Sequence, residues 1–283
     1  MRRKTHTHIR DIVPDVLGKF YNGEPVTDAA DWVMTGIPAL DRKIGGFRKG
    51  YLITIAGRPS TGKTTVAANI IAGTSALAAN PVTSATFSME EGADYFTVRI
   101  LSAISGTDLK SVAEDELTDA DRSYLRQAGD RLSRAPTIID DTPGLSLLEL
   151  AERCSQIVSD ARHADMPTLG IVLVDYVQLL RSGGEQKAPA DEVSRAATGL
   201  KSLAENLDVP VVALPQLSRK VEERADRRPI LSDLNPTLAE ESDMVLFMSR
   251  DATSSRYTCA PLLSGLVITA AKHPSDWSGR IKL

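Results

Sequence analysis

The 283-residue chain is 42% hydrophobic and 25% charged, which excludes a disordered composition and fits one large domain or two small ones. Its 33 Lys+Arg against 37 Asp+Glu give a net charge of −4, which excludes a globally basic nucleic-acid binder but not a local basic stripe. Aromatic residues, at 5%, argue against an extended platform for stacking bases.

The N-terminal MRRK is followed by polar THTHIRD rather than an apolar h-region, so no signal peptide is expected. No apolar run approaches the ~18–20 residues that span a bilayer, and a cytoplasmic location is expected. Cys154 and Cys259 are too few for a disulfide scaffold and fit a reducing compartment. His6 and His8 fall short of the usual set of metal ligands. Ile9, Ile12, Val13, Val16, Leu17, Phe20 and Tyr21 recur at helical spacing, with Pro14 starting or kinking the helix and Asn22-Gly23 ending it. Such a helix either packs on its own domain or forms an arm that buries its apolar stripe on a neighbouring subunit.

From residue 51 short apolar runs alternate with helical patterns. The predicted strands are Tyr51–Ala56, Val82–Ser88, Thr137–Asp140, Ile171–Asp175, Pro210–Leu214, Met244–Met248 and Leu266–Ala271. Several are continuously apolar, as strands covered on both faces must be. Helices are predicted at Thr64–Ala72 and Asp191–Asn206, and a third begins at the capping box Ser146-x-x-Glu149. This alternation predicts an α/β fold with a mainly parallel sheet covered by helices. Ser182–Ala190 and Ser218–Pro236 are polar loops long enough to carry function.

Gly57-Arg58-Pro59-Ser60-Thr61-Gly62-Lys63-Thr64 matches GxxxxGK[ST], between a predicted strand and a helix that continues through Thr65. Glycines let such a loop wrap a phosphate, while its amides and the helix N-terminus face the negative charge. Lys63 suits the β- and γ-phosphates of ATP, and the Thr64 hydroxyl suits the shell of Mg²⁺. A site of this kind needs a second acidic group at the end of another buried strand, and Asp175 after Ile171-Val172-Leu173-Val174 supplies one. A strand-end Asp can also cap a turn. Glu90, in Phe87-Ser88-Met89-Glu90-Glu91, either polarises an attacking water or opens a helix, and Glu91 fits the helix-opening role better.

Together these segments resemble the RecA-like ATPase domain of DnaB-type replicative helicases over residues 35–283. TGIPALDRKIGGFRKGYLITIAGRPSTGKTT is similar to that family's leading segment and P-loop, and FSMEE to its FSLEM. IIDDTPGLS resembles its IDDTPGLS, IVLVDYVQLL its Walker B strand, and VVALPQLSRKVEERADRRPILSDL its sensor and loop region. The RecA, RadA and KaiC-like ATPases share the core but not the DDTPGLS or QLSR…ADRRP sequences. The resemblance implies a RecA-like P-loop NTPase core with helices on both faces of the sheet, in residues 35–283, preceded by an N-terminal arm in residues 1–34. It implies a hexameric homo-oligomeric ring that hydrolyses ATP with Mg²⁺ and moves on single-stranded DNA, with a primase or helicase loader as a further partner. Glu90 is then the catalytic carboxylate, and Gln216 senses the γ-phosphate. Lys272 is carried over as a cation offered to the neighbour's ATP, and Arg99 as a helix arginine that otherwise makes an exposed ion pair. Residues 7–22 match a linker helix docked on the adjacent subunit.

Three departures accompany the match. The family's N-terminal collar has no counterpart in the chain, so ring assembly is expected to rest on the motor and its arm. Ala271-Lys272-His273-Pro274 keeps the lysine of the family's KQR motif but has Pro274 where that motif carries an arginine finger, with Lys272, Arg280 and Arg250 as candidate substitutes. Residues 233–243 lack the arginine and glycine of the family's DNA-tracking loop. DNA contacts are therefore expected from Arg219, Lys220, Arg224, Arg227 and Arg228, although Glu222, Glu223 and Asp226 also make that segment readable as a solvated mixed-charge loop. Two alternatives to a helicase stand beside it: a RecA/RadA-like DNA-remodelling ATPase without processive unwinding, and an ATP-binding protein that joins or caps a host helicase ring.

Overall fold

The computed structural model describes residues 9–22, 29–108, 116–164, 166–175, 177, 189–217, 221, 224, 228–250, 263, 265–275 and 277–283. His6, His8, Cys259 and most of the predicted Ser182–Ala190 loop lie outside these residues. The chain divides into two compact units, Met1–Trp32 and Val33–Leu283.

The first unit carries helix α1 (Ile9–Asn22), with Pro14 inside it rather than at its start. Ile9, Val13, Leu17 and Tyr21, spaced four residues apart, are exposed along it.

The second unit is built on an eight-stranded sheet. Its strands are β1 (Leu52–Gly57), β2 (Thr83–Ser88), β3 (Thr137–Asp140), β4 (Leu169–Asp175), β5 (Val211–Leu214), β6 (Met244–Arg250), β7 (Leu266–Lys272) and β8 (Gly279–Lys282). Their spatial order is β8-β7-β6-β1-β5-β4-β2-β3. From β6 to β3 every neighbouring pair is parallel, whereas β6/β7 and β7/β8 are antiparallel. The expected mainly parallel α/β fold is therefore present.

Among the described residues, the α-helices of this unit are α2 (Pro38–Ile44), α3 (Lys63–Ile71), α4 (Ala93–Ser105), α5 (Asp119–Leu132), α6 (Leu147–His163), α7 (Pro189–Leu207) and α8 (Pro236–Glu241). They cover both faces of the sheet, which explains the unbroken apolar runs. In β4, Ile171 and Leu173 point to a core shared with Val66 and Ile70 of α3 and Phe96 and Ile100 of α4. Val172 and Val174 point the other way, to Leu150 of α6 and Leu200 of α7. A strand with period-two geometry buried on both faces favours apolar side chains along its length, and β4 has no polar side chain until its end. In β4 that end is Asp175.

Two elements carry only a weak apolar signal in the sequence, for different physical reasons. β8 buries only Ile281 of its four residues, so it has no hydrophobic run. α5 buries only Ala128, and its start is fixed instead by a reciprocal capping box between Thr118 and Asp121. Cys154 is buried in α6, and burial pushes its thiol pKa up to about 12, which leaves it an inert core side chain.

Candidate functional site

The chain leaves β1 at Gly57 and enters α3 at Lys63, so residues 58–62 wrap the N-terminal end of that helix. Two residues in this loop take left-handed backbone, Ser60 at φ 60° and Gly62 at φ 97°. A Cβ on Gly57 would lie 2.5 Å from the Thr61 hydroxyl, which itself donates to the Arg58 carbonyl at 2.7 Å. The loop is thus closed tightly on itself, and α3 begins without a side-chain cap. Its first-turn amides and dipole make this end a site for an anion.

Lys63 donates from Nζ to the carbonyls of Gly57 (3.2 Å) and Arg58 (3.3 Å), which holds the ammonium over the loop. Burial holds its pKa below the ordinary lysine value, while the charges of Asp175 and Glu90 pull it back up. The Thr64 hydroxyl donates to Asp175 Oδ2 at 2.9 Å. Asp175 is buried, and its Oδ1 accepts no hydrogen bond among the described residues. An anionic oxygen buried with no donor is costly unless a cation meets it. Thr64 and Asp175 offer oxygen ligands only, the donor chemistry of a hard divalent cation. Among the described residues no group of three His, Cys, Asp or Glu could hold a metal by itself.

Burial is also the main reason that the Asp175 pKa is pushed up to about 6, from an ordinary 3.8. The Thr64 hydrogen bond and Lys63 oppose the rise, and Glu90 and Glu91 add to it. The folded protein therefore holds this proton where the unfolded chain has released it. The cost of the buried charge is absent below pH 3.8, grows as pH rises to about 6, and is complete above that. Asp175→Asn is accordingly expected to stabilise the protein at pH 7.5, with chelator and without nucleotide, by on the order of 2–3 kcal/mol. Thermal melts should show this gain shrinking as pH falls through 6 towards 4. A gain of equal size at both ends, or a loss, contradicts a buried unpaired charge.

Parallel strands bring the other predicted residues to the same end of the sheet. Ser88 is the register partner of Asp175, and the Met89 N–H donates to the Asp175 carbonyl at 2.8 Å, so β2 delivers Glu90 beside the end of β4. Gln216 forms an isolated parallel bridge with Gly57, and the Leu217 N–H donates to the Gly57 carbonyl at 3.1 Å. The chain beyond β5 therefore runs along the first glycine of the loop. Pro59, Ser60, Gly62, Lys63, Thr64 and Thr65 line one side of a cleft of about 370 Å³, together with Glu90, Glu91, Arg99, Gln216 and Arg250. Crevices at the carboxyl ends of parallel strands are where open α/β sheets bind ligands.

For three of these lining residues, Glu91, Arg99 and Arg250, the sequence singles out the residue but not its placement or partner. Glu91 does not open helix α4: Gly92 precedes that helix, and Asp141, from the segment after β3, accepts the Ala93 N–H at 2.9 Å. Glu91 instead grips Arg99 through two hydrogen bonds. Local pattern rules could not find this pair, because its members lie eight apart across a turn and a helix start. Arg250 ends β6, where a Cβ on Gly62 would lie 3.6 Å from its Nη2. The DDTPGLS segment proves to be scaffolding among the described residues. Arg153 of α6 bonds both Asp140 and Thr142, and Ser146 and Glu149 form the expected capping box.

Other predicted residues stand apart from the cleft. Lys272 is not among its lining residues; its Nζ donates to the carbonyls of Ala239 (3.1 Å) and Glu240 (2.9 Å) near the end of α8. Arg219, Lys220 and Arg227 lie outside the described residues. Arg224 forms a bidentate pair with Asp233 at 2.7 and 2.6 Å and also bonds the Arg228 carbonyl, whereas Arg228 itself is exposed. No described helix is long and apolar enough to cross a membrane.

The family model for the DnaB-like helicase C terminal domain matches residues 33–282. The replicative DNA helicase DnaC of Bacillus subtilis is 36% identical over 246 residues, covering 84% of this chain and 52% of that protein. The replicative DNA helicase DnaB of Geobacillus stearothermophilus is 34% identical over 256 residues, covering 88% of this chain and 55% of that protein. The chain thus spans about half the length of the curated relatives it matches. Among solved structures, one of an ATPase domain superposes with a TM-score of 0.81 at 26% identity, covering 98% of this chain and 95% of that one. A DnaB-like replicative helicase described with its primase interactions superposes with a TM-score of 0.80 at 26% identity, covering 99% of this chain and 65% of that one.

Proposed function

The chain belongs to the DnaB-like helicase C-terminal domain family, and from that premise we propose that it is the ATP-hydrolysing motor of a replicative-type DNA helicase, working as a hexameric ring on single-stranded DNA. The observation that carries this reading is the meeting of Lys63, Thr64, Glu90 and Gln216 around one cleft, with Asp175 bonded beneath it to Thr64. In this reading the loop amides, Arg58 and Lys63 bind the phosphates of ATP. Thr64 and Asp175 hold Mg²⁺, which supplies charge neutralisation on the phosphate oxygens. Glu90 takes the proton of the attacking water as the γ-phosphoryl group leaves. Gln216, tied through its backbone to Gly57, couples the state of the phosphate site to the loop that follows it.

The remaining parts follow the same scheme. Residues 1–34 are an arm whose exposed Ile9, Val13, Leu17 and Tyr21 favour docking on a neighbouring motor, and residues 35–283 are the motor itself. Arg219, Lys220, Arg227 and Arg228 contact DNA phosphates, summed around the ring, while Arg224 serves to shape that loop through Asp233. Lys272 faces the neighbour's ATP across a subunit interface. A primase is a partner by analogy with the solved relative, and the cytoplasm is the place of action.

One observation favours a second reading, an ATP-binding protein that joins or caps a host ring with little turnover. Pro274 stands where the family carries the finger arginine, and Lys272, two residues before it, is held by two carbonyls of its own chain. A forked-duplex assay with purified protein, ATP and Mg²⁺ separates the two. Strand release that depends on ATP is expected; ATP binding without strand release, joined to co-purification with a ring helicase, supports the second reading.

A further inference from the structure

The cleft contains an ion pair that the scheme above leaves unused. Glu91 and Arg99 both line it, beside Glu90 and Lys63. Arg99 Nε donates to Glu91 Oε2 at 2.7 Å and Nη2 to Oε1 at 2.5 Å, so the carboxylate takes one whole edge of the guanidinium. Nη1 makes no hydrogen bond among the described residues. The two side chains are only 28% and 26% exposed, which sets this pair apart from a solvated surface bridge.

Both partners are anchored. The Ser88 hydroxyl donates to the Glu91 carbonyl at 2.6 Å, which fixes the turn leaving β2. Arg99 rides on α4, whose first amide is held by Asp141. Arg99 lies in the field of Glu90 and Asp175 as well as Glu91, so the surroundings keep it charged. Glu91 also marks a departure in sequence, since FSMEE has glutamate where FSLEM has methionine. A long arginine side chain on the wall of a phosphate site loses entropy when it is recruited, and a carboxylate on its rear edge removes most of that cost in advance.

We propose that Glu91 is a positioning residue: it grips the Nε/Nη2 edge of Arg99 so that Nη1 is presented to the terminal phosphoryl oxygens of ATP. The proposal rests on the ATPase reading above. Glu91 also adds negative charge beside a polyanionic substrate, which disfavours ground-state binding. Its removal should therefore lower kcat without raising KM, a split that a merely structural residue does not produce.

The test is a double-mutant cycle of Glu91→Gln and Arg99→Ala, read by steady-state ATP hydrolysis and by affinity for a slowly hydrolysed ATP analogue against ADP. Glu91→Gln is expected to lower kcat roughly tenfold, the worth of a hydrogen bond to a charged group, with KM for ATP unchanged or lower. In the Arg99→Ala background the same change should alter kcat no further, and Arg99→Ala should lose preference for the triphosphate over ADP, whereas Glu91→Gln should keep it. Glu91→Met, which removes the grip while keeping side-chain bulk, should reproduce the loss of kcat. Additive effects, or a Glu91→Met protein as fast as wild type, overturn the inference while leaving the ATPase reading intact. Absence of hydrolysis by the unmodified chain overturns the ATPase reading and this inference with it.

Discussion

Glu90→Gln is expected to lower ATP turnover by about 10²–10⁴-fold, the usual worth of a positioned general base, while nucleotide affinity stays close to wild type. The expectation follows from where β2 ends. Ser88 pairs in register with Asp175, so two further residues carry the chain from the sheet into the cleft, and Glu90 lines it. Glutamine keeps the size and one acceptor but cannot hold the proton taken from water. Steady-state hydrolysis and equilibrium titration with nucleotide check the two halves separately. Turnover near wild type would remove Glu90 from the mechanism, and a collapse of affinity alone would give it a binding role instead.

Lys63→Ala is expected to fail differently, with hydrolysis reduced by about 10²–10³-fold or more and affinity for ATP also lost. The ammonium is held over the loop by the Gly57 and Arg58 carbonyls, at the helix end where phosphate charge would concentrate. Burial disfavours its charged form in the fold, whereas its charge eases the burial of Asp175, so the two effects oppose and the thermal melt should move little when Lys63 is removed. An unchanged melt combined with lost binding identifies a ligand-directed role. Retained ATP binding in the folded variant would contradict it.

The parts of this chain that could be read in advance are those whose physics is local in sequence. Strand β4 announces itself because alternate residues enter two different cores, leaving Ile171–Val174 with no polar position, and Asp175 stands out as the first exception. The phosphate loop is readable because the glycines, Lys63 and Thr64 all act within one turn of chain. What escaped depends on distant partners. Glu91 has the spacing of a helix-opening carboxylate, but Asp141, 48 residues from Ala93, takes that place and leaves Glu91 to Arg99. β6 extends two residues beyond the apolar run, to Ser249 and Arg250, and that polar extension carries Arg250 to the cleft. Lys272 looks like a site lysine from its motif, yet within its own chain it bonds carbonyls near the end of α8. Its role towards a neighbouring subunit is a question of assembly rather than of local sequence.

The proposed motor function has one direct test: the rate of ATP hydrolysis by the purified chain with Mg²⁺, measured with and without a single-stranded DNA oligonucleotide. The account predicts hydrolysis that rises when DNA is added and disappears in Lys63→Ala. Hydrolysis that DNA leaves unchanged, or a rate that Lys63→Ala retains, would contradict it.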